Sequence, residues 1–358
     1  MKIWKRIAIS TSVVAVVGVG ALTARTLVMG GMFAEVTPGF DGACRTIGGV
    51  VGAEDLQIDR KDGRVFISAS DRRAKPPSKM DGIYTLKLGD PTARPVRLAG
   101  TPDDFHPHGI SLFRAADGSL TLMVVNHVRR LNAAHSSINI FTVTVEGGVT
   151  KLSEIGAIES DKLISPNDVV AVGKEQFYVT NDHGSRTPFG MTLENYLMLP
   201  RADVLYFDGN VFKEVANNLV FANGIAASPD GNRVYVAETT AHRIQTFTRD
   251  LFSGKLTQEA TLTMPSGPDN IDVDEKGDLW VAADTKLFGV VAYGSDSSKP
   301  SPSEIFRLPV KNGAPQEARR VYADLGKQIG AASVGAVAGG HLFIGSIFDP
   351  KILDCVPR

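Results

Sequence analysis

Several features that often reveal a function are scarce in this chain. Its 358 residues carry 38 Lys and Arg against 39 Asp and Glu, and no basic run follows the first few residues, so no electrostatic signature of nucleic-acid binding is present. The sequence has no Gly-x-Ser-x-Gly, Walker loop or dinucleotide fingerprint. A serine α/β-hydrolase and a nucleotide-binding enzyme are therefore unsupported.

Helical patterns are also scarce after residue 33. One segment, Thr192 to Leu199, places Leu193, Tyr196 and Leu197 at helical spacing and predicts a short helix. No composition shift marks a second domain, and the remainder has the pattern of an all-β protein.

Cysteine occurs only twice, as Cys44 and Cys355 at the two ends of the predicted fold. In an exported protein such a pair favours a disulfide that closes the fold, and two buried free thiols are the alternative.

The first 33 residues differ from the rest of the chain. Lys2, Lys5 and Arg6 precede a mostly apolar stretch from Ile7 to Leu22. This pattern indicates a secretory signal or a membrane anchor, and thus an exported protein that is anchored or secreted outside the cytoplasm. Retention as an anchor is favoured slightly over cleavage, because the small-residue pattern near Ala24 is incomplete; a buried core helix is the remaining alternative.

A repeat organises residues 34–358. Each unit is a short β-rich run, a turn with Gly or Asp-Gly chemistry, and a second β-rich run, which predicts a hairpin. Six such units at intervals of about 47 to 64 residues suit four-stranded propeller blades. We therefore predict an all-β, six-bladed β-propeller with a central channel, as one domain. The units start near residues 54, 108, 167, 223, 269 and 333.

Polar residues stand at the start of successive units. Because the innermost strands of a propeller run along its axis, equivalent positions converge there. Oxygen ligands in that number, with one histidine and no cysteine, favour Ca²⁺ over zinc or copper. The alternative is that these residues only open turns. The set comprises Glu54, Asp55, His108, Asn167, Asp168, Asn223, Asp269 and Asn270.

Two histidines are candidates for water activation beside a metal. His108 belongs to the polar set, and His127 ends the second strand of the same unit. Imidazole has a pKa near neutral pH, which suits proton transfer, although a structural role for either residue is an equal alternative. Asp182 and His183, at the end of the third unit, are candidates for a supporting role behind the ligands.

At these positions the sequence resembles the serum paraoxonase and arylesterase family, related to the gluconolactonase-type propellers. The shared strings include Pro107-His108-Gly109-Ile110-Ser111, Asn167-Asp168-Val169-Val170 and Phe221-Ala222-Asn223-Gly224-Ile225, and both cysteines also match. The resemblance implies a calcium-dependent lactonase and arylesterase with two calcium ions, acting on small-molecule lactones or esters.

The same resemblance implies a role for each residue. The catalytic calcium would be held by Glu54, Asn167, Asn223, Asp269 and Asn270, and the structural calcium by Asp55, Asp168 and the carbonyl of Ile110. His108 and His127 match the family's proposed histidine dyad, and we expect His108, assisted by His127, to take the proton of the attacking water. Apart from the resemblance, Asp269 and Glu54 could share the base role, since each would lie on the metal with a free oxygen. The resemblance also implies that the N-terminal hydrophobic helix stays uncleaved.

The chain departs from the family at three places. Asp284 stands where the family often has histidine, and residues 195–205 match its pocket-covering segment only loosely. The basic loop from Arg72 to Lys79 has no assigned counterpart. Two other classes stay open: a non-hydrolytic propeller of the strictosidine-synthase-like type, and a calcium-stabilised, membrane-anchored binding scaffold.

Overall fold

Antiparallel hairpins form most of the regular structure. The computed structural model describes residues 17–130 and 133–358. The helices are α1 (residues 17–29), α2 (Pro188–Leu197) and α3 (Leu287–Ser295). In chain order the strands are β1 (Gly42–Gly48), β2 (Ala53–Asp59), β3 (Arg64–Ala69), β4 (Gly82–Lys87), β5 (Val96–Arg97), β6 (Pro107–Arg114), β7 (Leu120–Arg130), β8 (Ala133–Glu146), β9 (Val149–Glu159), β10 (Pro166–Ala171), β11 (Phe177–Asn181), β12 (Ala202–Phe207), β13 (Phe212–Leu219), β14 (Ala222–Ala227), β15 (Arg233–Glu238), β16 (Arg243–Arg249), β17 (Leu256–Thr263), β18 (Gly267–Val273), β19 (Leu279–Asp284), β20 (Ser303–Leu308), β21 (Val310–Lys311), β22 (Ala314–Pro315), β23 (Arg319–Asp324), β24 (Ala332–Ala338), β25 (His341–Ser346) and β26 (Lys351–Pro357).

Four-stranded sheets are the blades of a six-bladed β-propeller, as the repeat predicts. Their strand orders are β2-β3-β4-β5, β6-β7-β8-β9, β10-β11-β12-β13, β14-β15-β16-β17, β18-β19-β20-β23 and β24-β25-β26-β1. Each innermost strand contacts the innermost strand of the next blade, and β24 contacts β2. The ring is therefore closed, and each predicted repeat is the inner hairpin of one blade.

The first strand of the propeller, β1, is the outermost strand of the last blade. β1 pairs antiparallel with β26, and Cys44 lies directly opposite Cys355 in this register. The two cysteines form a disulfide, which confirms the prediction that they tie the first strand of the ring to the last. Sheet hydrogen bonds and a covalent bond thus close the ring at the same place.

Hydrophobic packing between neighbouring blades forms the core. Leu56, Val65 and Ile67 of the first blade pack with Val334 and Phe343 of the last, and all five are essentially inaccessible to water. Similar clusters join the other blades. Because both faces of the inner strands are covered in this way, these strands are largely apolar except at their first residues.

A β-bulge interrupts the inner hairpin of every blade. The ladder between the first and second strands loses register between residues 53 and 55, 107 and 110, 166 and 169, 222 and 225, 268 and 271, and 332 and 334. Bulged residues have no partner directly opposite, and the bulge redirects their side chains. The polar positions identified in the sequence fall within or next to these bulges.

Within residues 17–130 and 133–358, three helices lie outside the blades. The predicted helix at residues 192–199 is present as α2, but it starts earlier: Pro188 occupies its first turn, and the Thr187 side chain caps the helix by accepting the N–H of Gly190 at 3.1 Å. The sequence analysis missed α3.

The N-terminal prediction falls mostly outside the described residues. Lys2, Lys5, Arg6 and much of the apolar stretch precede residue 17, so the structure describes residues 17–33 of this segment, of which residues 17–29 form α1. In the described part of the chain, no helix combines the length and apolarity needed to cross a bilayer.

Candidate active site

A cavity of about 330 Å³ opens at the end of the central channel where the inner strands begin. Its floor is polar and its cover is largely apolar. The floor residues include Glu54, His108, Asn167, Asn223, Asp269 and Asp284. The cover includes Thr26 and Gly30 of the N-terminal segment, Tyr196 and Met198 at α2, Phe221, Ile347, and Leu287, Phe288, Val290 and Val291 of α3.

Unpartnered oxygen atoms are concentrated on this floor. Glu54 Oε2, Asn167 Oδ1, Asn223 Oδ1 and Asp284 Oδ1 on the floor, and Asn270 Oδ1 on a neighbour of Glu54, are buried and have no hydrogen-bond partner. Buried polar atoms are rarely left unsatisfied unless a water, an ion or a functional role explains them. All of these oxygens except that of Asp284 belong to residues predicted to hold the catalytic calcium.

Each asparagine is oriented through its amide nitrogen. Asn223 Nδ2 donates to Thr239 Oγ1 at 3.0 Å, and Thr239 Oγ1 donates onward to the Pro268 carbonyl at 2.7 Å. Asn270 Nδ2 donates to Glu54 Oε1 at 2.8 Å. Because the nitrogens are held by these acceptors, the amide oxygens remain available as ligands.

The amide nitrogen of Asn167 is also held by an acceptor, Asp182, which in turn contacts His183. Asn167 Nδ2 donates to Asp182 Oδ2 at 3.2 Å, and the other Asp182 oxygen lies 2.6 Å from His183 Nδ1. Burial acts to lower the pKa of His183, but the hydrogen bond and the charge of Asp182, together with Asn195 and Glu194, outweigh it and the pKa is raised. The structure therefore places Asp182 directly behind a proposed ligand and His183 behind Asp182.

The floor has an excess of negative charge. Burial raises the pKa of Asp269 well above its usual value, and the charges of Asp284 and Glu54 add to the effect. Burial also raises the pKa of Glu54, which Arg72 and Asn270 partly oppose. The pKa of Asp284 is raised to about 8, first by burial and then by Glu304. Such a cluster of acids favours binding of a cation.

Two further carboxylates lie on the same inner strands. Asp55 accepts the backbone N–H groups of Leu56 at 2.7 Å and Ile110 at 2.8 Å. Asp168 accepts those of Val169 at 2.7 Å and Ile225 at 2.8 Å. Burial raises the pKa of both acids well above the usual value, and the charge of Asp55 adds to the shift of Asp168. Each aspartate thus connects its own blade to the next.

Glycines allow these inner strands to approach one another. A Cβ atom on Gly109 would lie 2.2 Å from Asp168 Oδ1, and one on Gly224 would lie 2.5 Å from the Asp269 carbonyl oxygen. Only glycine fits at either position without a shift of the neighbouring strand. The glycines of the His-Gly-Ile and Asn-Gly-Ile strings therefore serve the packing of the site.

The two candidate histidines contact each other beside the ligand oxygens. The rings of His108 and His127 meet edge to face, with centroids 5.0 Å apart. His108 Nε2 lies 3.5 Å from Glu54 Oε1, and His127 Nδ1 lies 3.1 Å from Ser136 Oγ. Burial lowers the pKa of His108 well below its usual value, and Arg72 and His127 lower it further. Only His108 lines the cavity described above; His127 borders a neighbouring one.

The described residues contain no group of three or more His, Cys, Asp or Glu side chains placed to hold a metal together. In the proposed catalytic set, three of the five ligands are asparagines, so the acids alone do not complete a site.

Three residues of the site were missed or left without a role by the sequence analysis. Thr239 follows β15 in the fourth blade and gives no signal of its own. Arg72 reaches His108 from a loop, and Asp284 was noted only as a departure from the family. The contacts of Arg72 with His108 and of Thr239 with Pro268 cross from one blade to the next, and a repeat pattern does not contain such contacts.

Comparison with known proteins agrees with this architecture. The arylesterase family model matches residues 59–356. The chain belongs to the arylesterase family. It is 35% identical to human serum paraoxonase/arylesterase 1 over 323 residues, covering 87% of this chain and 88% of that protein. It is 34% identical to human serum paraoxonase/arylesterase 2 over 315 residues, covering 85% and 86%.

A solved structure gives the same fold at much lower identity. A luciferin-regenerating enzyme superposes with a TM-score of 0.52 at 14% identity, covering 88% of this chain and 95% of its own. This likeness supports the propeller fold of the arylesterase family member described here, and it carries no information on substrate.

Proposed function

We propose that this member of the arylesterase family is a calcium-dependent hydrolase that opens lactones and hydrolyses aryl esters by attack of water. The observation that carries the proposal is the set of buried, unpartnered oxygens on Glu54, Asn167, Asn223 and Asn270, beside the carboxylate of Asp269. Family membership and the names of the paraoxonase/arylesterase relatives support hydrolysis of esters.

The ligand set fits calcium. Carboxylate and carboxamide oxygens are the donors that Ca²⁺ prefers, and the floor offers them without a competing cysteine. Glu54, Asn167, Asn223, Asp269 and Asn270 would hold the ion. A bound calcium ion would polarise the ester carbonyl and stabilise negative charge on its oxygen.

We propose a second, structural calcium at Asp55 and Asp168, with the carbonyl of Ile110 as a third ligand. The support is that burial raises the pKa of both carboxyl groups well above the usual value, and that the charge of Asp55 raises the pKa of Asp168 further. A cation between them would relieve this repulsion and would connect the inner strands of the first and third blades.

The cavity supplies substrate binding and exclusion of water. Tyr196, Phe221, Leu287, Phe288 and Val291 form an apolar cover above the polar floor. Burial of an alkyl chain or aryl ring against these side chains would orient the carbonyl toward the floor. A cavity of about 330 Å³ suits a small lactone or phenyl ester better than a polymer.

His108 would act at the reacting centre through Nε2, the ring nitrogen that lies 3.5 Å from Glu54 Oε1. The candidates for accepting the water proton remain His108 with His127, or one of the carboxylates of Asp269 and Glu54.

We also propose that residues 1–33 export the chain and anchor it at a membrane, with residues 34–358 as the catalytic domain. Partition of the full chain and of a variant starting at residue 34 between membrane and soluble fractions tests this assignment. Equal partition of the two would contradict the anchor.

The test of function is hydrolysis of phenyl acetate and of a simple lactone with and without chelator. We expect turnover to be lost with chelator and restored by Ca²⁺. Asn270→Ala should need more calcium than wild type for half-maximal activity, because a neutral ligand is lost but the acids remain. Asn210→Ala, at an exposed turn position, is the matched control.

Two results would contradict the proposal. Absence of hydrolysis on either substrate in calcium-loaded protein would favour a non-hydrolytic propeller or a binding scaffold. Hydrolysis that is unaffected by complete removal of calcium would exclude the metal from the reaction.

A further inference from the structure

A loop at residues 70–81 reaches the rim of the site from the first blade. The Asp81 carboxylate accepts the Ser70 hydroxyl at 2.7 Å and the Asp71 N–H at 2.8 Å. The Asp71 carboxylate in turn accepts the backbone N–H groups of Arg73 at 3.0 Å and Ala74 at 3.2 Å. These bonds fix the backbone on both sides of Arg72.

Arg73 attaches the same loop to α3 and to the segment that follows β25 in the sixth blade. Its guanidinium donates to the carbonyls of Tyr293 at 2.6 Å and Phe348 at 3.1 Å. The guanidinium carbon also lies 4.4 Å and 4.7 Å from the centroids of those two rings. Cation–π contacts of this kind add to the hydrogen bonds. The loop is therefore held at both ends as it passes the site.

Arg72 is directed from this loop toward His108. Its Nη1 atom donates to the Ser70 carbonyl at 3.1 Å, and its Nη2 atom lies 2.9 Å from His108 Nδ1. A guanidinium group has hydrogen-bond donors and no acceptor. The contact therefore requires His108 Nδ1 to be the acceptor.

We propose that Arg72 is a positioning residue that fixes the orientation and the tautomer of His108, so that the neutral imidazole carries its hydrogen on Nε2. Neutral imidazole has one N–H, and the hydrogen bond made by one ring nitrogen determines which nitrogen carries it. With Nδ1 accepting from Arg72, His108 presents a donor at Nε2, facing Glu54 Oε1.

The catalytic meaning of this tautomer rests on the proposed function. Within that function, the tautomer bears on which group accepts the proton of the attacking water. An imidazole whose Nε2 carries a hydrogen stabilises negative charge beside it, and has no lone pair there with which to accept a proton. The arrangement therefore favours a carboxylate, Asp269 or Glu54, as the acceptor of the water proton. The tautomer itself does not depend on hydrolysis, so it is testable even if the proposed activity is wrong.

The direct test is ¹⁵N NMR of the histidine side chains in the full-length, calcium-loaded protein. The His108 signals are identified by their loss in His108→Gln. We expect the Nε2–H tautomer in wild type and in Arg72→Lys, which keeps a donor, and a mixture of tautomers in Arg72→Met. Arg94→Met, which changes an exposed arginine, is the control and should match wild type. An Nδ1–H tautomer in wild type, or an unchanged spectrum in Arg72→Met, would overturn the inference.

A kinetic test separates positioning from general stability. Arg72→Met should lower kcat by about tenfold with KM nearly unchanged, the size expected for one lost hydrogen bond to a charged group. Arg72→Lys should recover most of the loss. In the His108→Gln background, Arg72→Met should have less than about a twofold further effect, because the partner is already absent. Fully independent effects of the two substitutions would contradict a role through His108.

Discussion

Replacement of Thr239 by valine is the sharpest test of how the site is built. Thr239 Oγ1 accepts Asn223 Nδ2 at 3.0 Å and donates to the Pro268 carbonyl at 2.7 Å, so one hydroxyl connects the fourth and fifth blades. Valine has nearly the same shape as threonine but lacks the hydroxyl group, so both hydrogen bonds are lost. The side chain of Asn223 then loses the partner that directs its oxygen to the proposed calcium.

Two contributions determine how much calcium affinity and folding stability Thr239→Val should lose. Loss of a partner that orients a metal ligand typically weakens metal affinity by about 10- to 100-fold. Leaving the Asn223 amide and the Pro268 carbonyl unsatisfied costs about 1–3 kcal/mol of folding stability per buried group. Thr239→Val should therefore bind calcium more weakly and also lose thermal stability in the absence of metal.

The measurement is calcium titration by calorimetry together with thermal unfolding with and without calcium. Thr246 provides the control, because it is fully buried and its hydroxyl has no hydrogen-bond partner. Thr246→Val should leave calcium affinity unchanged and stability equal to or slightly above wild type. Calcium affinity of Thr239→Val within twofold of wild type would refute the assignment of Asn223 as an oriented ligand.

Two further predictions concern stability. Replacing Cys44 and Cys355 together by alanine opens a loop of 311 residues and should lower the free energy of unfolding by roughly 5 kcal/mol in the chain-entropy model, as measured by denaturant unfolding; an unchanged midpoint would contradict a stabilising closure. Asp168→Ala should abolish much of the rise in Tm that calcium gives the wild type, because a metal that binds only the folded state adds its binding free energy to folding. Asp103→Ala, at an exposed position, is its control, and unchanged Tm and calcium content in Asp168→Ala would contradict a structural ion there.

The propeller was predictable because its signal is repeated. The pattern of a β-rich run, a turn and a second β-rich run recurs in all six blades, and in five of them the first run begins with one of the polar residues named above. The pair Cys44 and Cys355 was predictable for a similar reason: in a ring that closes on itself, the two ends of the chain must meet. The structure confirms both the closure and the disulfide.

The missed elements depend on tertiary contacts. Helix α3 contains Gly289 and Gly294 and adjacent valines, all poor helix formers. A Cβ on Gly294 would lie 2.8 Å from the Phe348 ring, and one on Gly289 would lie 3.0 Å from Ser301 Oγ. Close packing on the blades thus stabilises a helix that its own sequence disfavours. The contact of Arg72 with His108 was equally hidden, because it joins residues from different blades.

The bulge at the start of every inner strand separates binding chemistry from the hydrogen-bonding ladder. The residues at the bulge contribute side chains to the channel, whereas the strand beyond it keeps its register with the next strand. A change of ligand at one bulge therefore alters the channel without requiring the sheet to re-pair. Each blade can accordingly acquire a new polar group independently of the others, and propellers of this design are well suited to evolve new substrates and metal preferences one position at a time.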